Sequence, residues 1–192
     1  MTRRKGLTLT DILITVVIAF VFSVIYSLWG PVYSALSVTG LHINELMYGM
    51  WFIAAVVAYL IIRKPFVALL AEFGAAAGET IVTLEFNTML MVYGFLQGLA
   101  CEIVFAIFRY KSTHVMVAML AGVAASISTI PLDWFYGYLG SIETWNLALY
   151  FGFRIISGAL IAGWFAWIIY KAVQKTGVLK FLSDRHQHTE GL

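Results

Sequence analysis

Three carboxylates fall inside long apolar stretches of this 192-residue chain: Glu72, Glu79 and Glu102. A charge placed in hydrocarbon is costly, so each is a functional candidate by position alone. Glu72 and Glu79 are seven residues apart, which puts them on one helix face two turns from each other. Glu79 follows Gly78 in a glycine- and alanine-rich stretch, and its depth favours a ligand carboxylate in a cavity. The competing use is a structural Glu, paired with Arg154 or protonated among the helices. For Glu72 and Glu102 a structural or partner-contact role is favoured. Arg154 is the only embedded base.

A second acidic set is mixed with aromatics. Glu45, Tyr48 and Trp51 recur at three-residue steps, so they share a helix face. Asp133 is followed by Trp134, Phe135, Tyr136 and Tyr138, and Trp29, Tyr33 and Trp145 add to the same side. An aromatic belt explains rings at both membrane surfaces, and Trp164, Trp167 and Tyr170 supply the other one. It does not explain carboxylates interleaved on one side only. Acidic groups among aromatic faces suit a cationic or amine-bearing ring ligand, through charge-assisted hydrogen bonds, stacking and cation–π attraction. Asn87 and Gln97 could each bond the donor and acceptor edge of a heterocycle, although Gln97 would serve an interhelical hydrogen bond equally well.

Other chemistries find little support. His42, His114, His186 and His188 fall in loops, at a boundary or in the tail, so no embedded imidazole is available as a base or metal ligand. Ser157-Gly158 has Ile155 where a nucleophile elbow needs glycine. Cys101 is the only cysteine, which excludes an intrachain disulfide. A G-x-x-x-x-G-K-[ST] loop for ATP is absent from the sequence. No cofactor or metal is expected.

These side chains need elements that can hold them in a bilayer. The chain is 61% hydrophobic and 11% charged, with a mean hydropathy of +0.89, far from the composition of a soluble or disordered protein. A net charge of +2 argues against nucleic acid as a partner. Six apolar runs follow one another: Ile12–Trp29, stopped by Gly30-Pro31; about Leu46–Ile62; about Phe66–Leu84; about Thr88–Phe108; His114–Trp134; and about Leu147–Val173. Each is near the length a helix needs to cross the hydrocarbon core, so the fold class is an all-α integral membrane protein of six transmembrane helices. The divisions are an N-terminus over 1–10, a membrane domain over 11–174 and a tail over 175–192.

Lys and Arg alternate between the connections. Arg3, Arg4 and Lys5, then Arg63 and Lys64, then Arg109 and Lys111, then Lys171, Lys175, Lys180 and Arg185 mark one side. The 31–44, 85–87 and 138–146 connections carry none. The positive-inside rule then makes both termini cytoplasmic and the acidic, aromatic side external. The first apolar run is too long for a signal h-region, so an uncleaved span is expected. No internal repeat is visible. Ala19, Ser23 and Ser27 form a small-residue stripe at four-residue spacing, which suits either an internal contact or docking of another subunit.

The stretches Glu45-Leu-Met-Tyr-Gly-Met-Trp-Phe-Ile and Ile62-Arg-Lys-Pro65, Glu72 with Glu79, and Gln97-Gly-Leu-Ala-Cys-Glu102 resemble the YkoE family. So do Asp133 and Arg154-Ile-Ile-Ser-Gly-Ala-Leu-Ile-Ala-Gly163, and the likeness covers roughly residues 10 to 182. The outer turn Thr83-Leu-Glu-Phe-Asn87 departs from the shorter glycine- and proline-bearing turn of that family. Members are S components, the substrate-binding subunits of energy-coupling-factor (ECF) transporters for thiamine or its hydroxymethylpyrimidine precursor.

The resemblance implies an S-component bundle in a bacterial plasma membrane. It would capture the vitamin outside and deliver it to a transmembrane coupling subunit and a separate ATPase. Glu79 would then hydrogen-bond the aminopyrimidine, and Trp51, Trp134 or Tyr48 would stack on a ring. Glu45 or Asp133 would face the thiazolium, with Asn87 or Gln97 completing the polar edge. Three other functions remain open on the residues alone: a stand-alone proton-coupled carrier with Glu72, Glu79 and Glu102 as relay, a membrane enzyme, and a scaffold that binds no small molecule.

Overall fold

Thr8 and Asp11 start the first helix, α1 (Leu9–Ser37). The Thr8 backbone N–H and hydroxyl both donate to Asp11 Oδ2 at 2.7 Å, and the Asp11 N–H donates to Thr8 Oγ1 at 3.3 Å. That reciprocal pairing closes the first turn as a capping box does. Lys64 Nζ lies 2.6 Å from Asp11 Oδ2, so the turn after the second span is tied to the start of the first. The structure, a computed structural model, describes residues 6–37, 42–140 and 142–177. Arg3, Arg4, Lys5, Lys180, Arg185, His186 and His188 lie outside the described residues.

Gly30-Pro31 was expected to stop the first span, but α1 continues through Pro31 to Ser37. A proline near a helix end forfeits one backbone bond without ending the helix when its later turns are held from outside. Here Tyr33, beyond the proline, donates its hydroxyl to Glu45, and Trp29 Nε1 donates to the Met47 carbonyl at 3.0 Å.

The second span is not one α-helix. It begins as a 3-10 helix over Ile43–Phe52 and becomes α2 (Ile53–Ile62) at Phe52, whose φ and ψ are −140° and 17°. The new helix has its own donors satisfied: the Ala54 N–H reaches Tyr26 Oη at 3.1 Å and the Ala55 N–H reaches Glu72 Oε2 at 3.2 Å. Tyr26 Oη also donates to that same Glu72 oxygen at 3.0 Å. Every residue from Ile53 to Leu60 is buried, as expected of a helix that is apolar all round. This makes α2 the central strut, with the Tyr59 ring stacked 3.6 Å from that of Phe105.

Around it stand α3 (Val67–Val82), α4 (Thr88–Ile107), α5 (Val115–Ser128), the short α6 (Ile130–Phe135), α7 (Thr144–Ser157), a π-helical segment over Gly158–Phe165, and α8 (Ala166–Lys175). Among the described residues, five helical runs are long and apolar enough to cross a membrane, by length and composition. At 16 residues α3 is shorter than the expected third span, about 24 Å of helix. Its start is capped by Glu102, which accepts from the Phe66, Ala68 and Leu69 N–H groups at 2.6, 3.1 and 3.4 Å. Its length passes between α1 and α4 on small residues. A Cβ on Gly74 would meet Ala19 Cβ at 3.1 Å, and one on Gly78 would meet Ser23 Cβ at 2.7 Å. Ala19 and Ser23 therefore make an internal contact of this chain, one of the two uses that their spacing suits. Ser27 donates to the Val24 carbonyl of its own helix. The exposed flank of α1 is Leu13, Val16, Val17 and Phe20.

α5 and the π-helical segment also approach closely. A Cβ on Gly122 would lie 2.0 Å from the Gly158 carbonyl oxygen and 3.2 Å from the Gly163 nitrogen, both backbone atoms. Side-chain motion cannot relieve that clash, so Gly122→Ala must part the helices. We expect it to cost at least about 1–3 kcal/mol, the range for overpacking. A thermal scan in detergent should show a midpoint several degrees lower, and an unchanged midpoint would contradict the close approach.

Candidate ligand site

The 3-10 segment, α1, α3, α4, α6 and α7 converge on a cavity of about 480 Å³. That size lies within the range of small-molecule sites, roughly 300–1,000 Å³. It sits at the end of the bundle that carries the α3–α4 turn, opposite the end marked by Arg63, Lys64, Arg109 and Lys111. Glu45, Tyr48, Trp51, Glu79, Asn87, Gln97 and Asp133 all line it.

Trp134 does not. It is 76% exposed and outside the cavity, so of the three rings offered for stacking only Trp51 and Tyr48 are brought together there. Neighbouring helix residues point about 100° apart, so turning Asp133 inward turns Trp134 away.

One wall is an ion-pair network. Arg154 Nε donates to Glu45 Oε2 at 2.6 Å, and Nη1 donates to Thr129 Oγ1 at 3.0 Å and also to Asp133 Oδ2. Its Nη2 donates to Tyr150 Oη, which in turn donates to Asp133 Oδ2 at 3.0 Å. Tyr93 Oη supplies Asp133 Oδ1 at 2.6 Å. The guanidinium carbon lies 3.8 Å from the Tyr48 ring centroid and 4.4 Å from that of Tyr150. Arg154 is thus held by α6, α7 and the 3-10 segment together. The competing structural use of Glu79, pairing with Arg154, is not seen: Arg154 pairs with Glu45 and Asp133.

The opposite wall is aromatic with one open acceptor. Trp51 Nε1 donates to Glu79 Oε1 at 3.2 Å, while Glu79 Oε2 has no hydrogen-bond partner. Glu79 is 6% exposed and lines the cavity, and that oxygen is buried. Tyr33, Tyr48 and Trp51 form a corner of tilted rings, with Tyr33 and Trp51 centroids 4.9 Å apart at 78°. Gln97 Nε2 reaches Tyr48 Oη at 3.4 Å. Asn87 caps α4 by accepting from the Leu90 N–H at 3.2 Å, which leaves its amide nitrogen available to the cavity.

Glu72 and Glu102 are absent from the lining; they cap α2 and α3 as described. Asn44, Tyr93 and Tyr150 line the cavity without having been singled out in the sequence. Tyr93 and Tyr150 stand four residues before Gln97 and Arg154, and that spacing was the available signal. Asn44 Oδ1 is a second buried acceptor without a partner. Three carboxylates face the cavity against one guanidinium, so its charge balance is acidic. Among the described residues, no group of three or more His, Cys, Asp or Glu is placed to hold a metal ion.

The family described as ABC-type cobalt transport system, permease component, matches residues 10–128. The YkoE protein of Bacillus subtilis (strain 168), named as an HMP/thiamine permease, is 35% identical over 176 residues, covering 91% of this chain and 88% of that protein. A crystal structure of an S-component of an ECF transporter superposes with a TM-score of 0.84 at 33% identity, covering 97% of this chain and 99% of the other. The chain belongs to this permease family and, within it, to the YkoE group of ECF-transporter S components.

Proposed function

We propose that the chain captures thiamine, or its hydroxymethylpyrimidine precursor, for ATP-driven uptake by a coupling subunit and an ATPase carried on other chains. The observation that carries this reading is Glu79, which lines an acidic, aromatic cavity and whose Oε2 is a buried acceptor without a partner among the described residues. An aminopyrimidine brings an N–H donor to that oxygen. Trp51 and Tyr48 offer ring faces, and Asn87 and Gln97 offer amides for the remaining polar edge. Glu45 and Asp133 together outweigh Arg154 by one negative charge, which favours a permanently cationic thiazolium beside them. With the basic end cytoplasmic by the positive-inside rule, the cavity opens outward in a bacterial plasma membrane.

The relative's name as an HMP/thiamine permease supports the same ligand class. The proton-relay alternative requires Glu72 and Glu102 to exchange protons with Glu79. Both carboxylates accept backbone N–H bonds that start helices, and this runs against a shuttling role.

Calorimetric titration of the purified chain should show saturable thiamine binding without any partner. The chain alone in liposomes should take up no thiamine under a proton gradient. Uptake driven by that gradient would replace this reading with the stand-alone carrier, and absence of thiamine binding would remove the ligand.

A further inference from the structure

Glu45, Tyr48 and Trp51 reach the cavity together only because the 3-10 helix holds them in one column. In a 3-10 helix each residue turns about 120°, so positions three apart eclipse. In an α-helix each turns about 100°, so every three-residue step drifts by about 60° and Glu45 and Trp51 would point about 120° apart. An α-helical form of this segment could not present the carboxylate to Arg154 and the indole to Glu79 at once. Runs of 3-10 helix longer than about four residues are uncommon, because their hydrogen bonds are poorer. A run of 10 residues needs support from outside itself.

The support comes from the end of α7. Ser157 Oγ donates to the Leu46 carbonyl at 2.7 Å and accepts from the Gly49 N–H at 2.8 Å. Leu46 and Gly49 are the carbonyl and N–H that a 3-10 turn pairs. In an α-helix Leu46 would instead pair with Met50, and Gly49 with Glu45. One hydroxyl therefore bridges two groups that a 3-10 turn pairs with each other and an α-helix pairs with different residues. Gly49 permits the approach, since a Cβ there would lie 2.4 Å from the Ser157 carbonyl oxygen. Arg154, one turn earlier on the same helix, grips Glu45 of the same segment. At the far end, Tyr26 and Glu72 stop the register by taking the first N–H groups of α2.

We propose that Ser157 is a positioning residue: its hydroxyl fixes the 3-10 register of Ile43–Phe52 and so sets Glu45, Tyr48 and Trp51 against the ligand. This rests on the cavity being the thiamine site, and the test separates the two. Amide hydrogen exchange of the unliganded protein in detergent should speed up over 46–52 in Ser157→Ala, by roughly tenfold or more, with α4 and α5 unchanged. Thiamine affinity of the same variant should fall by about tenfold or more, the effect of losing a bridging hydrogen bond. In a Trp51→Ala background Ser157→Ala should cost little further affinity, because the column it positions is already broken. Ser157→Cys, which keeps a smaller capacity for hydrogen bonding, should fall between and takes over the test if Ser157→Ala does not fold. Unchanged exchange over 46–52, full thiamine affinity, or additive losses with Trp51→Ala would each overturn the proposal. If the wild-type chain binds no thiamine, the ligand assignment fails and the exchange arm alone decides whether Ser157 sets the helix.

Discussion

Arg154→Met should lower the thermal midpoint of the unliganded protein by roughly 10 °C, and adding Glu45→Gln with Asp133→Asn should recover most of it. Arg154 is 2% exposed, and Glu45 and Asp133 are 2% and 3% exposed. Methionine fills similar volume but leaves two buried carboxylates facing each other with no cation between them. Removing one partner of a buried ion pair costs about 3–5 kcal/mol, mainly through the charge left behind. For a chain of this length each kcal/mol moves the midpoint by about 2–4 °C. Neutralising both carboxylates removes the stranded charges, and replacing a whole buried ionic cluster by neutral groups is often close to neutral. The triple variant should then fold without recovering its full affinity for thiamine, because the excess negative charge and the Tyr48 cation–π contact are gone. A fluorescence-monitored thermal scan of the three proteins decides it. A single variant as stable as wild type would show that the carboxylates are not confined beside Arg154.

The bundle was legible because membrane helices must be apolar over a fixed length and loops must interrupt them. Arg63-Lys64-Pro65 and Arg109-Tyr110-Lys111 mark real turns; of the cavity's carboxylates Glu79 was visible as a charge in hydrocarbon, and Glu45 and Asp133 as acids among aromatics. Three features were not legible, each for a physical reason. Pro31 reads as a stop because the signal is local, whereas Tyr33 and Trp29 hold the later turns of α1 through bonds to a different span. The three-residue rhythm of Glu45, Tyr48 and Trp51 fits either helix type, and the Ser157 hydroxyl that favours 3-10 lies 108 residues from Gly49. The partner of Arg154 depended on which helices meet. Glu79 and Glu45 are equally plausible by charge, and only the packing of α7 against the 3-10 segment selects Glu45.

That selection leaves Glu79 free for ligand, and its replacement carries the second large effect. Glu79→Gln should weaken thiamine binding by about 100-fold while leaving the unliganded midpoint unchanged or slightly raised. The glutamine carbonyl can still accept from Trp51 Nε1, whose bond is 3.2 Å in the native protein, so the wall of the cavity stays assembled. What changes is the other atom: an open acceptor, Oε2, becomes an amide nitrogen that donates. An amino N–H of the ligand then meets a donor rather than an acceptor. A hydrogen bond to a charged group is worth about 1.5–3 kcal/mol, and an opposed donor adds the cost of an unmade bond. Together these exceed two factors of ten, at about 1.4 kcal/mol each. Stability should not follow affinity, because a buried acceptor without a partner costs the free protein and its removal relieves that cost. A thiamine analogue with oxo in place of the amino group provides the internal control. It presents an acceptor at that position, so the variant should bind it no worse than wild type does. Equal affinity of the two proteins for thiamine itself would remove Glu79 from the site, and a parallel loss for both ligands would mean that the substitution disturbs the cavity rather than one bond.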